Sequence, residues 1–211
     1  MASWMFPYSR PPQKDRLVGD IIKQIPPRKK LVVACIGCNN LTGDVLGPLV
    51  GTMLHARLQS SKLPTANIIG TLAKPLEFNN YQTEFNKRFG NQPNVFTIAV
   101  DSATGTPEQL KTIMIGSGPI RPGGYLYNSN QKFGDMHIIG VLTQYGDDIW
   151  IQMSSTNMWI VVQMAELITD ILFDVLKLYS QGVGNTRYRR VTIVGKRTSQ
   201  KRITSSGIEI V

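Results

Sequence analysis

The chain is poor in cysteine, with only Cys35 and Cys38 among its 211 residues. Two thiols are too few for a disulfide framework, and such scarcity is typical of a protein from a reducing compartment. A lone C-x-x-C pair provides two of the four ligands of a structural zinc site, and residues three apart in a strand point to opposite faces. We therefore expect both cysteines to be buried, unreactive thiols.

Long apolar runs are also missing, although 42% of the residues are hydrophobic. Proline, glycine or a charged residue interrupts each run before the roughly 18 residues that a membrane-spanning helix requires. The N-terminal sequence MASWMFPYSRPPQKDR lacks the uninterrupted apolar segment of a secretory signal. We therefore expect no membrane helix and no export by that route, and a location in the cytoplasm.

Acidic residues are outnumbered, with 14 Asp and Glu against 23 Lys and Arg, and the net charge of +9 lies at the two ends. Residues 1–30 carry +5, residues 187–211 carry +6, and the stretch between them carries −2. We divide the chain into a basic, proline-rich arm (1–30), a single α/β domain (31–196) and a basic tail (197–211). Basic ends can neutralise nucleic-acid phosphates, but they are more commonly just solvated, so nucleic-acid contact is the weaker alternative.

Short apolar runs alternate with helical periodicity through the central part of the chain. We predict buried strands at KKLVVACIG, ANIIGTL and NVFTIAVD, a helix from Val45 to Leu58 between the first two, and a helix around Phe78 to Phe89 before the third. This order is typical of a parallel sheet covered by helices. Strands at KTIMIGSG and GDMHIIGVLTQ, a long helix over about residues 157–181 and a last strand at RVTIVGK complete the pattern.

The segment TGDVLGPLVG places Asp44 directly ahead of a helix. Proline is tolerated in the first helical turn, where its missing amide hydrogen would be unbonded anyway, so Pro48 fixes the helix start nearby. One interpretation makes Asp44 a helix cap, which stabilises a protein by about 1 kcal/mol. The other interpretation makes it a catalytic residue.

Asp101 ends the strand VFTIAVD and favours the catalytic interpretation. Ligands of open parallel sheets bind beyond the carboxyl ends of the strands, so Asp44 and Asp101 are expected to converge there. Repulsion between two close carboxylates raises the pKa of one, and the pair then shares a proton. Such a pair can act as general base and general acid, or it can hold a divalent metal through oxygen.

Five further residues are candidates for the same site. His137, in GDMHIIGV, is a candidate third member, although a histidine in an apolar strand is more often a core residue. Thr42, Gly43, Ser102 and Arg121 are candidates for substrate binding. Arg121 belongs to the loop GSGPIRPGG, which lacks the GK[ST] ending of a phosphate-binding loop and is interpreted as tight turns.

Together, TGDVLGPLVGT, VDSATG, GPIRPGG, GDMHIIGV and NMWIVVQMAELI resemble the sporulation protein family typified by YyaC, a relative of the spore germination protease. The resembling part runs from about Val32 to Leu176. The resemblance implies a three-layer α/β/α sandwich of the phosphorylase/hydrolase type with a mostly parallel central sheet, shared with germination proteases and hydrogenase-maturation endopeptidases. It also implies a cytoplasmic location in the forespore or spore core.

The resemblance further implies an activity. In germination proteases the acid of the GD-x-LGP motif and the strand-end acid are the proposed catalytic residues, and these positions match Asp44 and Asp101. The maturation endopeptidases use the same acids and a later histidine to hold a metal. In this chain Ser154 stands about where that histidine would be, so a metal site would need His137 instead.

We therefore expect an aspartate-based peptidase without a cofactor, acting on a protein or peptide substrate such as the small acid-soluble spore proteins. Two alternatives remain open at this point. One is a non-catalytic sporulation protein that keeps the fold and binds a protein partner. The other is a metal-dependent hydrolase that binds a divalent metal through Asp44, Asp101 and His137.

Overall fold

A computed structural model describes residues 3–64, 67–90, 92–123, 130–146 and 148–182. The strands are β1 (Trp4–Pro7), β2 (Lys30–Cys35), β3 (Ile68–Ile69), β4 (Val95–Gly105), β5 (Thr112–Ser117) and β6 (Met136–Gln144). The helices are α1 (Lys14–Gln24), α2 (Leu46–Ser60), α3 (Tyr81–Phe89), α4 (Ile149–Ser155) and α5 (Met158–Ser180), with one 3-10 turn at Pro107–Gln109. None of the helices in these ranges is both long and apolar enough to cross a bilayer.

The six strands form one sheet in the order β1-β5-β6-β4-β2-β3. The four strands from β6 to β3 run parallel to one another, whereas β5 is antiparallel to both β6 and β1. The predicted α/β class with a mostly parallel sheet is therefore confirmed. Strand β2 and the first half of β4 lie inside the sheet and are nearly continuous apolar runs, because helices cover both of their faces.

The buried side chains between the sheet and its helices form two clusters. The larger cluster joins α1, α2 and α5 to one face, and the smaller one joins α3 to the other. Alternation along β2 assigns Val33 to the larger cluster and Val32 and Ala34 to the smaller. The result is the expected three-layer α/β/α sandwich.

Residues 4–24 belong to this sandwich, although the sequence predicts an arm outside the domain. Strand β1 pairs residue by residue with β5, from Trp4 opposite Ile115 to Pro7 opposite Thr112. Helix α1 buries Leu17 and Ile21 in the larger cluster. This segment completes one sheet edge and one helical layer. The predicted strand RVTIVGK, the domain end at 196 and the tail 197–211 lie outside the described residues.

Helix α2 starts with its backbone against the backbone that follows β2. A side chain at Gly47 would overlap the carbonyl group of Ile36, so only glycine fits there. Gly37, with φ 140°, likewise lies against the carbonyl group of Asp44. This close approach fixes the turn between β2 and α2 relative to the sheet.

We predict that Gly47→Ala destabilises the protein by about 1–3 kcal/mol, because the added methyl group forces α2 away from Ile36. Urea unfolding followed by circular dichroism measures this change. Gly146→Ala is the matched control, since its added carbon meets the Gln152 side chain only at 3.4 Å. An equal stability of both variants would show that the close approach is not a constraint.

Candidate active site

Asp44 lies in the turn that leads into α2, and its side chain does not cap that helix. The helix begins at Leu46 after Val45, with no side-chain cap hydrogen bond. The Oδ2 atom of Asp44 instead accepts a hydrogen bond from the backbone N–H of Cys38 at 2.7 Å, and its Oδ1 accepts one from the Ser102 hydroxyl at 3.3 Å. The carboxylate is therefore directed towards β4, away from the helix amides, and the capping interpretation fails.

Asp101 lies at the point along β4 where the pairing with β2 has ended. The last pair between β2 and β4 joins Cys35 to Val100, so Asp101 is the first residue of β4 beyond the end of β2. The sequence predicts a strand that ends at Asp101, but β4 continues to Gly105 alongside β6. The crevice therefore opens at the side of β4, because β2 stops there while β4 and β6 continue.

Ser102 links the two acidic side chains. Its backbone N–H donates to the Oδ1 atom of Asp101 at 2.8 Å, while its hydroxyl donates to the Oδ1 atom of Asp44 at 3.3 Å. One residue thus holds a carboxyl oxygen of each acid. The structure brings Asp44 and Asp101 together, as the parallel arrangement of β2 and β4 predicts.

A cavity of about 500 Å³ opens over the two acids. Its polar lining includes Glu77 and Arg121, and Arg121 makes no ion pair within the described ranges. The apolar part of the lining comes mainly from the segment after β2, from Phe78 and from α4: Ile36, Leu41, Phe78, Ile149, Trp150 and Met153. The cavity thus combines the acidic side chains of Asp44 and Asp101 with an apolar wall, and its volume is large enough for a segment of a larger ligand.

Burial raises the pKa of Asp44, and the charge of Glu77 adds to this effect. Hydrogen bonds from Cys38 and Ser102 act in the opposite direction, because they stabilise the ionised form. Burial, followed by the nearby charge of Asp44, raises the pKa of Asp101 well above its usual range. The pair therefore holds a proton at a pH where isolated carboxyl groups have lost theirs, and Asp101 is the side that keeps it.

Cys38 is a site residue that the sequence interpretation missed. Cys35 is fully buried as expected, whereas Cys38 is half-buried and lines the cavity beside Asp44. Burial raises the pKa of the Cys38 thiol, and the neighbouring Asp44 carboxylate raises it further. The prediction of two buried thiols is wrong for Cys38, because it lies beyond the end of β2 in the turn that faces Asp44.

His137 does not join the two aspartates. Its Nδ1 atom is 3.0 Å from the carbonyl oxygen of Gly118, and its ring covers Gly116 on β5. It is absent from the cavity lining. Within the part of the chain that the structure describes, no three His, Cys, Asp or Glu side chains are grouped as a metal site. The alternative metal-binding set of Asp44, Asp101 and His137 is therefore not assembled in the described structure.

The remaining candidates divide into two groups. Ser102 and Arg121, two of the four candidates for substrate binding, line the cavity. Thr42 and Gly43 do not, and the backbone N–H of Gly43 instead donates to the carbonyl oxygen of Met153 at 2.7 Å, which ties α4 to the Asp44 turn. Ser154 is exposed on α4, where its hydroxyl donates to the carbonyl oxygen of Trp150 at 2.8 Å.

Fold and site together define an α/β protein with a linked carboxylate pair in an open crevice. The chain belongs to the family described as "Protein of unknown function (DUF1256)", whose model matches residues 8–171. It is similar to the "Uncharacterized protein YyaC" of Bacillus subtilis (strain 168), with 32% identity over 142 residues, which is 67% of each chain. The resemblance to the YyaC-type family is thereby confirmed.

We predict that Asp101→Asn raises the free energy of unfolding at neutral pH, because it removes a group that the folded state must either keep protonated or bury as a charge next to Asp44. The direction of this effect follows from the raised pKa of Asp101, because the folded state binds the Asp101 proton more tightly than the unfolded state does. The free energy of unfolding of the wild type therefore falls as the pH rises from the usual carboxyl range through the folded-state pKa. Urea unfolding at a series of pH values measures the difference between variant and wild type. That difference should shrink towards pH 4, and a constant or growing difference on acidification would contradict the assignment.

Proposed function

We propose that the protein is a peptidase that hydrolyses peptide bonds with the Asp44 and Asp101 pair. The observation that supports this most directly is the linkage of both carboxyl groups through Ser102 in an open cavity. The likeness of the two acidic positions to those of germination proteases supports the same reaction. A protein substrate in the forespore or spore core, such as a small acid-soluble spore protein, is the corresponding substrate class.

The hydrogen bonds around the pair distinguish the roles of the two acids. Asp44 accepts from the N–H of Cys38 and from the Ser102 hydroxyl, and both hydrogen bonds favour its ionised form. Asp101 accepts from the N–H of Ser102 and faces the charge of Asp44, which favours its protonated form. Asp44 is therefore the general base and Asp101 the general acid.

In the proposed reaction Asp44 takes a proton from a water molecule, whose oxygen attacks the carbonyl carbon of the substrate. Asp101 gives its proton to the amide nitrogen as the C–N bond breaks. Asp44 then holds one proton and Asp101 has lost one, so a proton transfer between these linked neighbours restores the starting state. Activity requires one proton on the pair, and the pH profile of kcat/KM is therefore bell-shaped.

We predict that Asp44→Asn and Asp101→Asn each lower kcat/KM by at least about 10²–10⁴-fold, because each removes one partner of the proton transfer. A purified small acid-soluble spore protein is the first substrate, and mass spectrometry of the fragments measures its cleavage. Glu77→Gln is the matched control, since it removes a third carboxylate from the same cavity. It should retain activity within about threefold of the wild type.

Two results would contradict the proposal. Cleavage by either aspartate variant at the wild-type rate would exclude the pair as the catalyst. No cleavage by the wild type at any pH between 4 and 8, with either the spore protein or unfolded casein, would favour the non-catalytic alternative that binds a partner.

We predict that Ser102→Ala moves the acid limb of the kcat/KM profile to higher pH, because loss of the hydroxyl donor raises the pKa of Asp44. A role in packing alone would lower activity without moving that limb. Thr104→Val is the control, since Thr104 lines the same cavity without a hydrogen bond to either acid in the described structure. An unchanged acid limb in Ser102→Ala would remove Ser102 from the mechanism.

A further inference from the structure

Exposed apolar side chains are concentrated on one short stretch of the described chain. Seven large hydrophobic residues are exposed, and all except Met5 and Phe78 lie between positions 145 and 159. We call this group the α4 surface, and it consists of Tyr145, Trp150, Ile151, Met158 and Trp159. Ile151 and Trp159 are 67% and 66% exposed, so they contribute little to the core and are available for contact with another molecule.

The α4 surface begins at the wall of the cavity. Trp150 belongs to both, since it lines the cavity and is 49% exposed. Helix α4 is held at this place through Met153, whose carbonyl oxygen accepts from Gly43, and through Gln152, whose side chain accepts from the N–H of Gln144 at 3.0 Å. The apolar surface is therefore fixed beside the carboxylate pair.

The dimensions of this surface suit an extended peptide. Residues 150–155 are helical, residues 156 and 157 connect α4 to α5, and α5 begins at Met158. At about 1.5 Å per helical residue and 3.5 Å per extended residue, the path from Trp150 to Trp159 is shorter than about 20 Å. A bound peptide that leaves the cavity in an extended conformation needs roughly six residues to cover that distance.

The charge of the region favours a partner without acidic residues. No lysine or arginine occurs between residues 133 and 176. Among the described residues that line the adjoining cavity, the carboxylates of Asp44 and Glu77 outnumber the cation of Arg121, and Asp101 adds a second buried acid beside Asp44. An acidic segment would therefore be repelled, whereas a neutral or basic apolar segment would be attracted.

We propose that the α4 surface binds the part of a polypeptide substrate that lies next to the cleaved bond, and that this part is apolar and lacks acidic residues. The identity of the bound polypeptide as a substrate rests on the proposed function. Trp150 is shared by the surface and the cavity wall, so a chain bound here continues directly into the cavity. A second copy of the protein bound at the same place would cover the cavity mouth.

Fluorescence anisotropy with labelled 12-residue peptides tests the proposal. One peptide contains leucine and lysine between glycine and serine spacers, a second has serine for each leucine, and a third has glutamate for each lysine. The protein is the Asp101→Asn variant, compared with the same protein carrying Ile151→Ser and Trp159→Ser. Met5→Ser is the matched control, because Met5 is 59% exposed on β1, outside the α4 surface.

We expect the leucine and lysine peptide to bind at least about tenfold tighter than the other two, as burial of apolar side chains predicts. The double serine variant should lose about tenfold in affinity, and the Met5→Ser protein should bind normally. Equal binding of all three peptides, or normal binding by the double variant, would overturn the proposal. So would a wild-type dimer in sedimentation equilibrium that the double variant dissociates.

Binding is measured without cleavage, so this result is independent of the catalytic test. If the aspartate variants still cleave, the proposed catalyst fails while the peptide preference remains. If the aspartate variants do not cleave and the three peptides bind equally, the catalytic role of the aspartate pair is supported and peptide binding by the α4 surface is excluded.

Discussion

The direct contact between the backbone of α2 and the backbone after β2 determines where Asp44 lies. Gly47 and Gly37 permit this contact because neither carries a side chain that would separate the helix from the strand end. Gly37 and Gly47 lie near the two ends of the connection between β2 and α2, so the contact holds that connection and leaves the Asp44 carboxylate little freedom. Its oxygens reach Cys38 and Ser102, one on each side of the crevice, and the two-acid arrangement depends on that placement.

Placing two carboxyl groups side by side in a half-buried crevice is unfavourable in itself. The protein offsets the cost with donors that are already part of the fold, since two of them are backbone amides, those of Cys38 and Ser102. Amides at fixed positions need no reorganisation when the charge on the pair changes. The stability of the folded protein and the retention of a proton on the Asp44 and Asp101 pair thus depend on the same small set of hydrogen bonds.

The elements that the sequence predicts best are those whose patterns are local. The apolar run of β2, the period of α2 and the long helix α5 each carry their own signal, and the parallel order of β2 and β4 was enough to bring Asp44 towards Asp101. The sequence does not predict strand β1, because β5, with which it pairs in the described structure, lies more than a hundred residues further along the chain. A four-residue strand that ends in proline has no periodicity of its own to detect.

The same contrast between local patterns and long-range contacts applies to the residues of the site. Asp44 and Asp101 follow from motif and strand order, whereas the roles of Cys38 and Ser102 follow from contacts across a turn and between elements. His137 shows the limit of strand assignment: its position on β6 was predicted, but the contact of its ring with Gly116 and Gly118 depends on the antiparallel neighbour β5. A single sequence specifies that neighbour only weakly.

The short strand β1 has a practical consequence for anyone who shortens this protein. The family match begins at residue 8, directly after β1. A version trimmed to that boundary would leave the outer edge of β5 without its hydrogen-bonding partner. Unpaired edges of this kind recruit strands from other molecules, so the trimmed form would be lost to precipitation even though every residue of the crevice was retained.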